Sequence, residues 1–248
     1  MLREEILLKQ GKIQLQKSMI KLVSIADVIS LTNAIFGFIA VIFLLSELIS
    51  NEDMRLRISF SFILLALLAD GLDGVVARKT RKSEIGEYLE SIADMTSLII
   101  APAIFIYVVY LDSVFGYIFH HIYIIIALIL FLLLGIIRLS SFHIMKNEKF
   151  FVGLPASASA IILLVMAYFE VELIYILPVI ILISLAMITN IHFPKPQFRI
   201  NTLAAIFIIL TLIMGKNLYG FAPILLLIAI LIYSIVGPVY RKFFVKKL

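Results

Sequence analysis

Long, uninterrupted runs of apolar residues are the feature of this sequence that most restricts its fold. The runs centre on residues 25–46, 58–77, 95–111, 122–142, 156–169, 173–190, 202–214 and 221–237. Several of them reach the roughly 20 residues that a helix needs to cross the hydrocarbon core of a bilayer. Hydrophobic residues make up 63% of the 248 positions, well above their usual share in a water-soluble domain. The sequence therefore predicts an integral membrane protein with about eight spans.

The apolar runs also indicate the class of fold. They are continuous rather than alternating, which distinguishes helical spans from the strands of an outer-membrane barrel. Helices satisfy their own backbone hydrogen bonds in lipid. We therefore predict an all-α polytopic bundle that forms one membrane domain over residues 23–248. Residues 1–22 interleave apolar and basic side chains, which favours an amphipathic helix at the membrane interface over the alternative, a frayed polar tail.

Lysine and arginine are distributed unequally between the two sets of predicted loops. With eight spans and the amino terminus inside, 17 basic residues fall on one side and only Arg55, Arg57 and Lys216 on the other. Because cytoplasmic loops collect Lys and Arg, both termini are predicted to be cytoplasmic. The net charge of +5 then suits anionic lipid headgroups, and no feature indicates nucleic-acid binding. The absence of cysteine excludes disulfides and thiolate metal sites.

Residues 70–94, DGLDGVVARKTRKSEIGEYLESIAD, place charge directly after an apolar run, where carboxylates are costly. Two sets of residues recur there at helical spacing, so that each set lies on one face of a helix. The first set is Asp70, Asp73, Gly74 and Ala77, and the second is Gly86, Glu90 and Asp94. A turn between the two helices would bring four carboxylates around one point.

Four carboxylates at one point would repel one another unless cations lay between them. Clusters of oxygen ligands favour hard ions such as Mg²⁺ or Mn²⁺, and two such ions suit phosphoryl transfer. The small residues leave room for a ligand, and the planar guanidinium of Arg78 can bind a phosphate through two parallel hydrogen bonds. The alternative is a set of interfacial salt bridges, which is the favoured interpretation for Glu84 and Glu87.

The spacing of these residues resembles the signature of the CDP-alcohol phosphotransferases, with Glu90 at a position where that family has aspartate. The matching string is Asp70-x2-Asp73-Gly74-x2-Ala77-Arg78-x7-Gly86-x3-Glu90-x3-Asp94. Three other segments resemble the phosphatidylserine and archaetidylserine synthase subgroup. These segments are ADVISLTNAIFGFIA, LESIADMTSLIIAPA and FVGLPASASA.

The resemblance implies a six-helix catalytic core, usually dimeric, that binds a CDP-linked lipid and two divalent ions, Mg²⁺ or Mn²⁺, at the cytoplasmic face. The implied metal ligands are Asp70, Asp73, Glu90 and Asp94. Asp94 would also be the general base. The implied lining of the cytidine diphosphate site is Gly74, Ala77, Arg78 and Gly86. The implied reaction moves a phosphatidyl-type group from CDP-diacylglycerol or CDP-archaeol to the hydroxyl of L-serine and releases CMP.

Two further residues keep two interpretations each. Asn33 either bonds the nucleotide or joins two helices. Arg138 either snorkels to the interface or contacts an anionic acceptor or lipid phosphate.

Other functions also remain open at this point. The acceptor could be glycerol phosphate or inositol phosphate, but a phosphorylated acceptor should require a basic cluster, and Arg138 is the one obvious intramembrane cation outside the motif. That scarcity favours serine. A transporter or channel would also bury carboxylates, without needing the glycines and the arginine at fixed offsets. A non-catalytic member of the family is a third alternative, because of Glu90.

Overall fold

The computed structural model of the chain describes residues 22–77, 83–142, 144–145, 150–196 and 198–240, without the side chains of residues 73–77, 198–199 and 240. Apart from Leu22, the interfacial helix predicted over residues 1–22 lies outside the described residues, as do residues 241–248.

The described residues form a helical bundle. In chain order the helices are α1 (Ile25–Leu45), α2 (Glu52–Ala77), α3 (Gly86–Asp94), α4 (Ala101–Val109), α5 (Leu111–Val114), α6 (Ile118–Phe142), α7 (Ala156–Tyr168), α8 (Leu173–Met187), α9 (Phe198–Met214) and α10 (Asn217–Tyr240). A π-helical segment, Met95–Ile100, joins α3 to α4 in one continuous helix. Each predicted apolar run overlaps a helix, which confirms the all-α polytopic fold.

Several of these helices can cross a bilayer by length and composition. They are α1, the continuous helix Gly86–Val109, α6 and α10. The apolar helices α7, α8 and α9 are shorter. Helix α2 has 26 residues, and its acidic and basic side chains lie near its two ends. Together these helices make the chain an integral membrane protein.

Every second connection between consecutive helices lies at the same end of the bundle. The Lys216 ammonium lies 2.9 Å from a Glu170 carboxylate oxygen, which joins the α9–α10 connection to the α7–α8 connection. The Tyr110 hydroxyl, between α4 and α5, donates a hydrogen bond to the Val171 carbonyl. A Cβ on Gly215 would lie 3.3 Å from Nε of Arg57. Arg57 and Lys216, which the sequence analysis places on the same side, therefore both lie at this end.

The opposite end holds the remaining connections and the start of α1. The Ser83 hydroxyl donates to the Leu22 carbonyl at 2.7 Å, so the segment before α3 packs against the segment before α1. The alternation of the connections between the two ends agrees with an even number of spans.

Helix α7 forms the centre of the core. Eleven of its 13 residues are buried. Its first turns carry alanine and serine, whose small side chains let neighbouring helices approach closely. Near its other end the Tyr168 ring stacks on the Phe60 ring of α2 with 3.9 Å between centroids. The outer faces of α1, α6 and α10 instead expose large apolar side chains, as helices that face lipid require.

A short antiparallel sheet was not predicted from the sequence. Strand β1 (Phe150–Val152) pairs with β2 (His192–Pro194), and Phe151 lies opposite Phe193. We call these six residues the β1–β2 clasp. Gly153, which follows β1, has a φ of +77°, and a Cβ there would collide with the Met187 carbonyl oxygen. The clasp thus ties the α6–α7 connection to the α8–α9 connection and requires glycine at its edge.

Candidate functional site

Helix α1 packs along the helix that carries the second set of acidic residues. The Asn33 side-chain amide donates a hydrogen bond of 2.9 Å from Nδ2 to Oδ1 of Asp94. One turn farther along, a Cβ on Gly37 would lie 2.7 Å from Cα of Ser97, so the two backbones are in direct contact. The contacts advance in the same direction along both helices, so the helices run parallel. This packing fixes the side of the helix on which Asp94 lies.

The first turn of α1 lies beside Gly86. Asp27 and Ser24 form a capping box, in which Oδ2 of the buried Asp27 accepts from the Ser24 backbone N–H at 2.6 Å. A Cβ on Gly86 would lie 2.8 Å from Oδ1 of Asp27. Gly86, which the resemblance assigns to the nucleotide site, therefore also allows α3 to approach α1.

The three acidic side chains of the motif that the structure describes are half-buried. They are Asp70, Glu90 and Asp94. Glu90 and Asp94 stand four residues apart in α3 and share one face. Asp70 lies near the end of α2, which packs against the π-helical segment directly after Asp94.

The remaining motif residues fall partly outside the described residues. Asp73, Gly74 and Ala77 belong to the last turns of α2, but their side chains are not among those described, and Arg78 lies outside altogether. Among the described side chains, no three acidic or histidine residues gather as a metal site. Because the four-carboxylate set includes Asp73, that set stays a prediction.

The donors at this end of the bundle nevertheless suit a hard divalent cation. Carboxylate oxygens are the ligands that Mg²⁺ and Mn²⁺ prefer. A hydrogen bond from an outer amide, such as that of Asn33 to Asp94, typically orients a metal-binding carboxylate. The other polar atom of the same amide, Asn33 Oδ1, is buried without a hydrogen-bond partner among the described residues. It can accept a hydrogen bond from a ligand hydroxyl or a bound water.

The π-helical segment Met95–Ile100 was not found by sequence reasoning. It begins at the residue after Asp94, and its serine, Ser97, donates to the Ala93 carbonyl at 3.1 Å. Single π turns inside α-helices frequently occur at functional sites. No periodic signal in MTSLII marks it, because apolar residues dominate the whole stretch.

Arg138 is a buried cation in α6, with 6% of its surface exposed. Its Nε donates to the Leu154 carbonyl at 3.3 Å, and its guanidinium carbon lies 5.4 Å from the centre of the Phe142 ring. Among the described residues, no carboxylate forms an ion pair with it. A buried charge without a counter-ion is costly, so this guanidinium favours a bound anion.

Arg138 lies near the depth of Asp94. A Cβ on Gly135 of α6 would lie 2.8 Å from Cδ1 of Ile99, which places these two residues at one level. Arg138 follows Gly135 by three residues on the same helical face, and α6 runs toward the end of the bundle where Asp94 lies. At a rise of about 1.5 Å per residue, the two side chains differ in depth by less than about one helical turn.

Two histidines of α6, His120 and His121, lie away from this site. Nε2 of His121 lies 3.0 Å from the Tyr107 hydroxyl, and the His120 ring packs against Tyr117. Both belong to the end of the bundle that carries the α4–α6 connection.

Comparison with known proteins gives consistent matches. The profile of the family described as CDP-alcohol phosphatidyltransferase matches residues 23–236. The chain is 35% identical over 178 residues to a CDP-diacylglycerol--serine O-phosphatidyltransferase of Methanocaldococcus jannaschii, covering 71% of this chain and 76% of the relative. It is 32% identical over 187 residues to an archaetidylserine synthase of Methanothermobacter thermautotrophicus, and the match covers 72% of this chain and 73% of the relative. A CDP-diacylglycerol--serine O-phosphatidyltransferase of Saccharomyces cerevisiae is 30% identical to the chain, and the match covers 61% of this chain and 56% of the relative.

Proposed function

The chain belongs to the CDP-alcohol phosphatidyltransferase family, and we propose that it transfers a phosphatidyl-type group from a CDP-linked lipid to the hydroxyl of L-serine, releasing CMP. As a member of this family it is an enzyme that transfers substituted phosphate groups. Relatives named for serine phosphatidyl transfer and for archaetidylserine synthesis support the choice of acceptor. The observation that carries the proposal is the buried guanidinium of Arg138, which lacks a described carboxylate partner and lies near the depth of Asp94.

The donor end of the site would be built from the acidic motif. Two divalent ions, Mg²⁺ or Mn²⁺, would be held by Asp70, Asp73, Glu90 and Asp94 and would supply neutralising charge to the pyrophosphate. The cytidine diphosphate would lie against Gly74, Ala77, Arg78 and Gly86. Asn33 supports this arrangement because its amide orients Asp94 and leaves a buried acceptor, Oδ1, beside it.

The chemical step requires a base near the acceptor hydroxyl. The serine oxygen forms a bond to the lipid-side phosphorus, the bond from that phosphorus to the bridging oxygen breaks, and CMP leaves with the electron pair. Asp94 takes the hydroxyl proton. The hydrogen bond from Asn33 restricts the rotation of the Asp94 carboxylate, so its oxygen is held in position before the substrate binds.

The acceptor end of the site would be defined by Arg138. A serine zwitterion carries a carboxylate, which the planar fork of a guanidinium binds with two parallel hydrogen bonds. Nε of Arg138 already donates to the Leu154 carbonyl, so the terminal N–H groups are the donors that would face the acceptor. The acceptor would provide the counter-ion for the buried charge.

The side of the membrane follows from the distribution of basic residues. We place the active site and both termini at the cytoplasmic face, where the sequence concentrates Lys and Arg. The homodimer implied by the resemblance stays a prediction.

The test is a reconstituted reaction. Purified protein would receive CDP-diacylglycerol or CDP-archaeol, Mg²⁺ or Mn²⁺, and one alcohol from a panel of serine, glycerol phosphate and inositol phosphate. We expect CMP release that depends on both metal and serine, with the lipid product identified by mass spectrometry. CMP release only with a phosphorylated alcohol would overturn serine as the acceptor. No CMP release with any acceptor would overturn the transferase activity.

A further inference from the structure

The β1–β2 clasp lies directly against Arg138. Leu154, whose carbonyl accepts from Arg138 Nε, follows β1 by two residues, and its backbone N–H donates to the Ala186 carbonyl at 3.0 Å. Gly153 N–H donates to the Ile191 carbonyl at 2.7 Å. The position of the Leu154 carbonyl therefore depends on how the segment before α7 is held against the end of α8.

The clasp is in turn held by α10, a helix that carries no residue of the acidic motif. The Tyr233 hydroxyl of α10 donates a hydrogen bond of 3.0 Å to the Pro194 carbonyl at the end of β2. The Tyr233 ring lies 6.3 Å from the Phe193 ring. One turn later, a Cβ on Gly237 would lie 3.0 Å from Cδ of Pro194, so α10 and β2 are in van der Waals contact.

The contacts continue from α10 to Arg138 without a gap. Phe193 lies opposite Phe151 in the clasp, the Phe151 ring is 5.8 Å from the Phe142 ring, and the guanidinium of Arg138 faces Phe142. Arg138, Ser141, Phe142, Phe151 and Val152 line one small cavity at this place.

We propose that Tyr233 is a positioning residue for the acceptor end of the site. Its hydrogen bond to Pro194 holds the β1–β2 clasp, the clasp fixes the Leu154 carbonyl, and that carbonyl directs the fork of Arg138 toward the acceptor carboxylate. The inference rests on the proposed function, because it assigns the acceptor carboxylate to Arg138. It gives the carboxyl-terminal helix α10 a part in acceptor binding.

This role predicts a separation of kinetic effects. Loss of the Tyr233 hydroxyl leaves the ring and its packing in place but frees the Pro194 carbonyl, so the clasp and the Leu154 carbonyl can shift. The guanidinium of Arg138 is then less well oriented toward the serine carboxylate. The KM for serine rises by about three- to tenfold, as expected for one lost hydrogen bond. The CDP-lipid is bound by other residues, so its KM stays at the parent value.

The test compares three single variants of the full chain. Tyr233→Phe removes the hydroxyl. Gly237→Ala lies on the same helix as Tyr233 and would place a methyl group 3.0 Å from Cδ of Pro194. It pushes on Pro194 and leaves the Tyr233 side chain unchanged. Tyr175→Phe is the matched control, because Tyr175 lies on α8 with 62% of its surface exposed. For each variant the KM for serine, the KM for the CDP-lipid, kcat and the Tm in detergent would be measured.

A raised serine KM in Tyr233→Phe and Gly237→Ala, with the donor KM unchanged and Tyr175→Phe like the parent, supports the inference. If Tyr233→Phe does not fold, Gly237→Ala decides. An unchanged serine KM, or equal changes in the KM of both substrates, overturns the positioning role while sparing the proposed function. A parent protein that releases CMP without any dependence on serine overturns both.

Discussion

The side-chain amide of Asn33 donates a hydrogen bond of 2.9 Å to the carboxylate of Asp94. The two residues are 61 positions apart in the chain, and the bond joins α1 to the helix that ends the acidic motif. Asn33 is fully buried, so its amide is shielded from bulk water, while Asp94 is half-buried. Helix α1 is therefore a part of the candidate site as well as a membrane span.

Removing this amide should lower activity more than stability. We expect Asn33→Leu to reduce metal-dependent CMP release by about 10- to 100-fold, because an outer hydrogen bond to Asp94, a proposed metal ligand, is lost. Thr32→Val is the control, since Thr32 is only half-buried and, among the described residues, its hydroxyl donates within its own helix, to the Val28 carbonyl. Titration of activity with Mn²⁺ would measure the effect. Parental activity and metal affinity in Asn33→Leu would contradict it.

The glutamate at position 90 should act through its charge. We expect Glu90→Gln to lose at least about 100-fold in CMP release, because the proposed metal ligand becomes neutral. Glu90→Asp keeps the charge and should retain metal-dependent activity. Glu87→Gln, an exposed position in the same helix, is the matched control. Equal activity of Glu90→Gln and Glu87→Gln would remove Glu90 from the site.

The contact between Gly37 and Ser97 should be sensitive to one methyl group. Gly37→Ala would place a Cβ 2.7 Å from Cα of Ser97, and we expect a loss of about 1–3 kcal/mol from overpacking. Gly71→Ala is the same chemical change in α2, where the new Cβ would have no described atom outside its own helix backbone within 4 Å. This variant should be neutral or stabilising by up to about 1 kcal/mol. Thermal unfolding in detergent would compare them. Equal Tm values would contradict the close packing of α1 against the π-helical segment.

Gly86 should be coupled energetically to Asp27. In Gly86→Ala the new methyl group would lie 2.8 Å from Oδ1 of Asp27, which is held by the Ser24 backbone. We expect lower stability in Gly86→Ala and a partial recovery in the double variant with Asp27→Ala, with an interaction energy of about 0.5–3 kcal/mol. A double-mutant cycle on Tm in detergent measures this coupling. Additive effects would show that the two residues do not share space.

The two ends of the bundle should face opposite sides of the membrane. The chain has no cysteine, so single cysteines can be placed without further changes. Lys216→Cys and Asn190→Cys both alter exposed connections, but at opposite ends of the bundle. We expect an impermeant maleimide to label Lys216→Cys from outside intact cells and Asn190→Cys only after lysis. Labelling of both from the same side would contradict the alternation of the connections.

The sequence predicted the helices well, because an apolar run long enough to cross a bilayer leaves the backbone no alternative to a helix. It also predicted that Arg57 and Lys216 share a side. It left Asn33 with two interpretations, and the structure shows the helix-joining contact with Asp94. The choice of Asp94 as that partner needed the packing of two parallel helices, which a single sequence does not specify.

The β1–β2 clasp and the contact of Tyr233 with Pro194 could not be predicted in the same way. Strands of three residues are too short to show an alternating pattern, and their pairing joins segments about 40 residues apart. The glycine at position 153 is the one local signal, since its positive φ suits a sharp turn beside a strand. The position of Tyr233 inside an apolar helix gives no indication of its partner.

The pairing of β1 with β2 closes the chain between Phe150 and Pro194 into a ring that contains the α7–α8 hairpin. Both helices leave and return through the same pair of strands, so at that end they cannot separate without breaking backbone hydrogen bonds. A shift of α7 against α8 at that end would therefore also move the Leu154 carbonyl, which accepts a hydrogen bond from Nε of Arg138. In the proposed site, the two strands would thus couple the placement of α7 and α8 to the orientation of the arginine that would bind the acceptor.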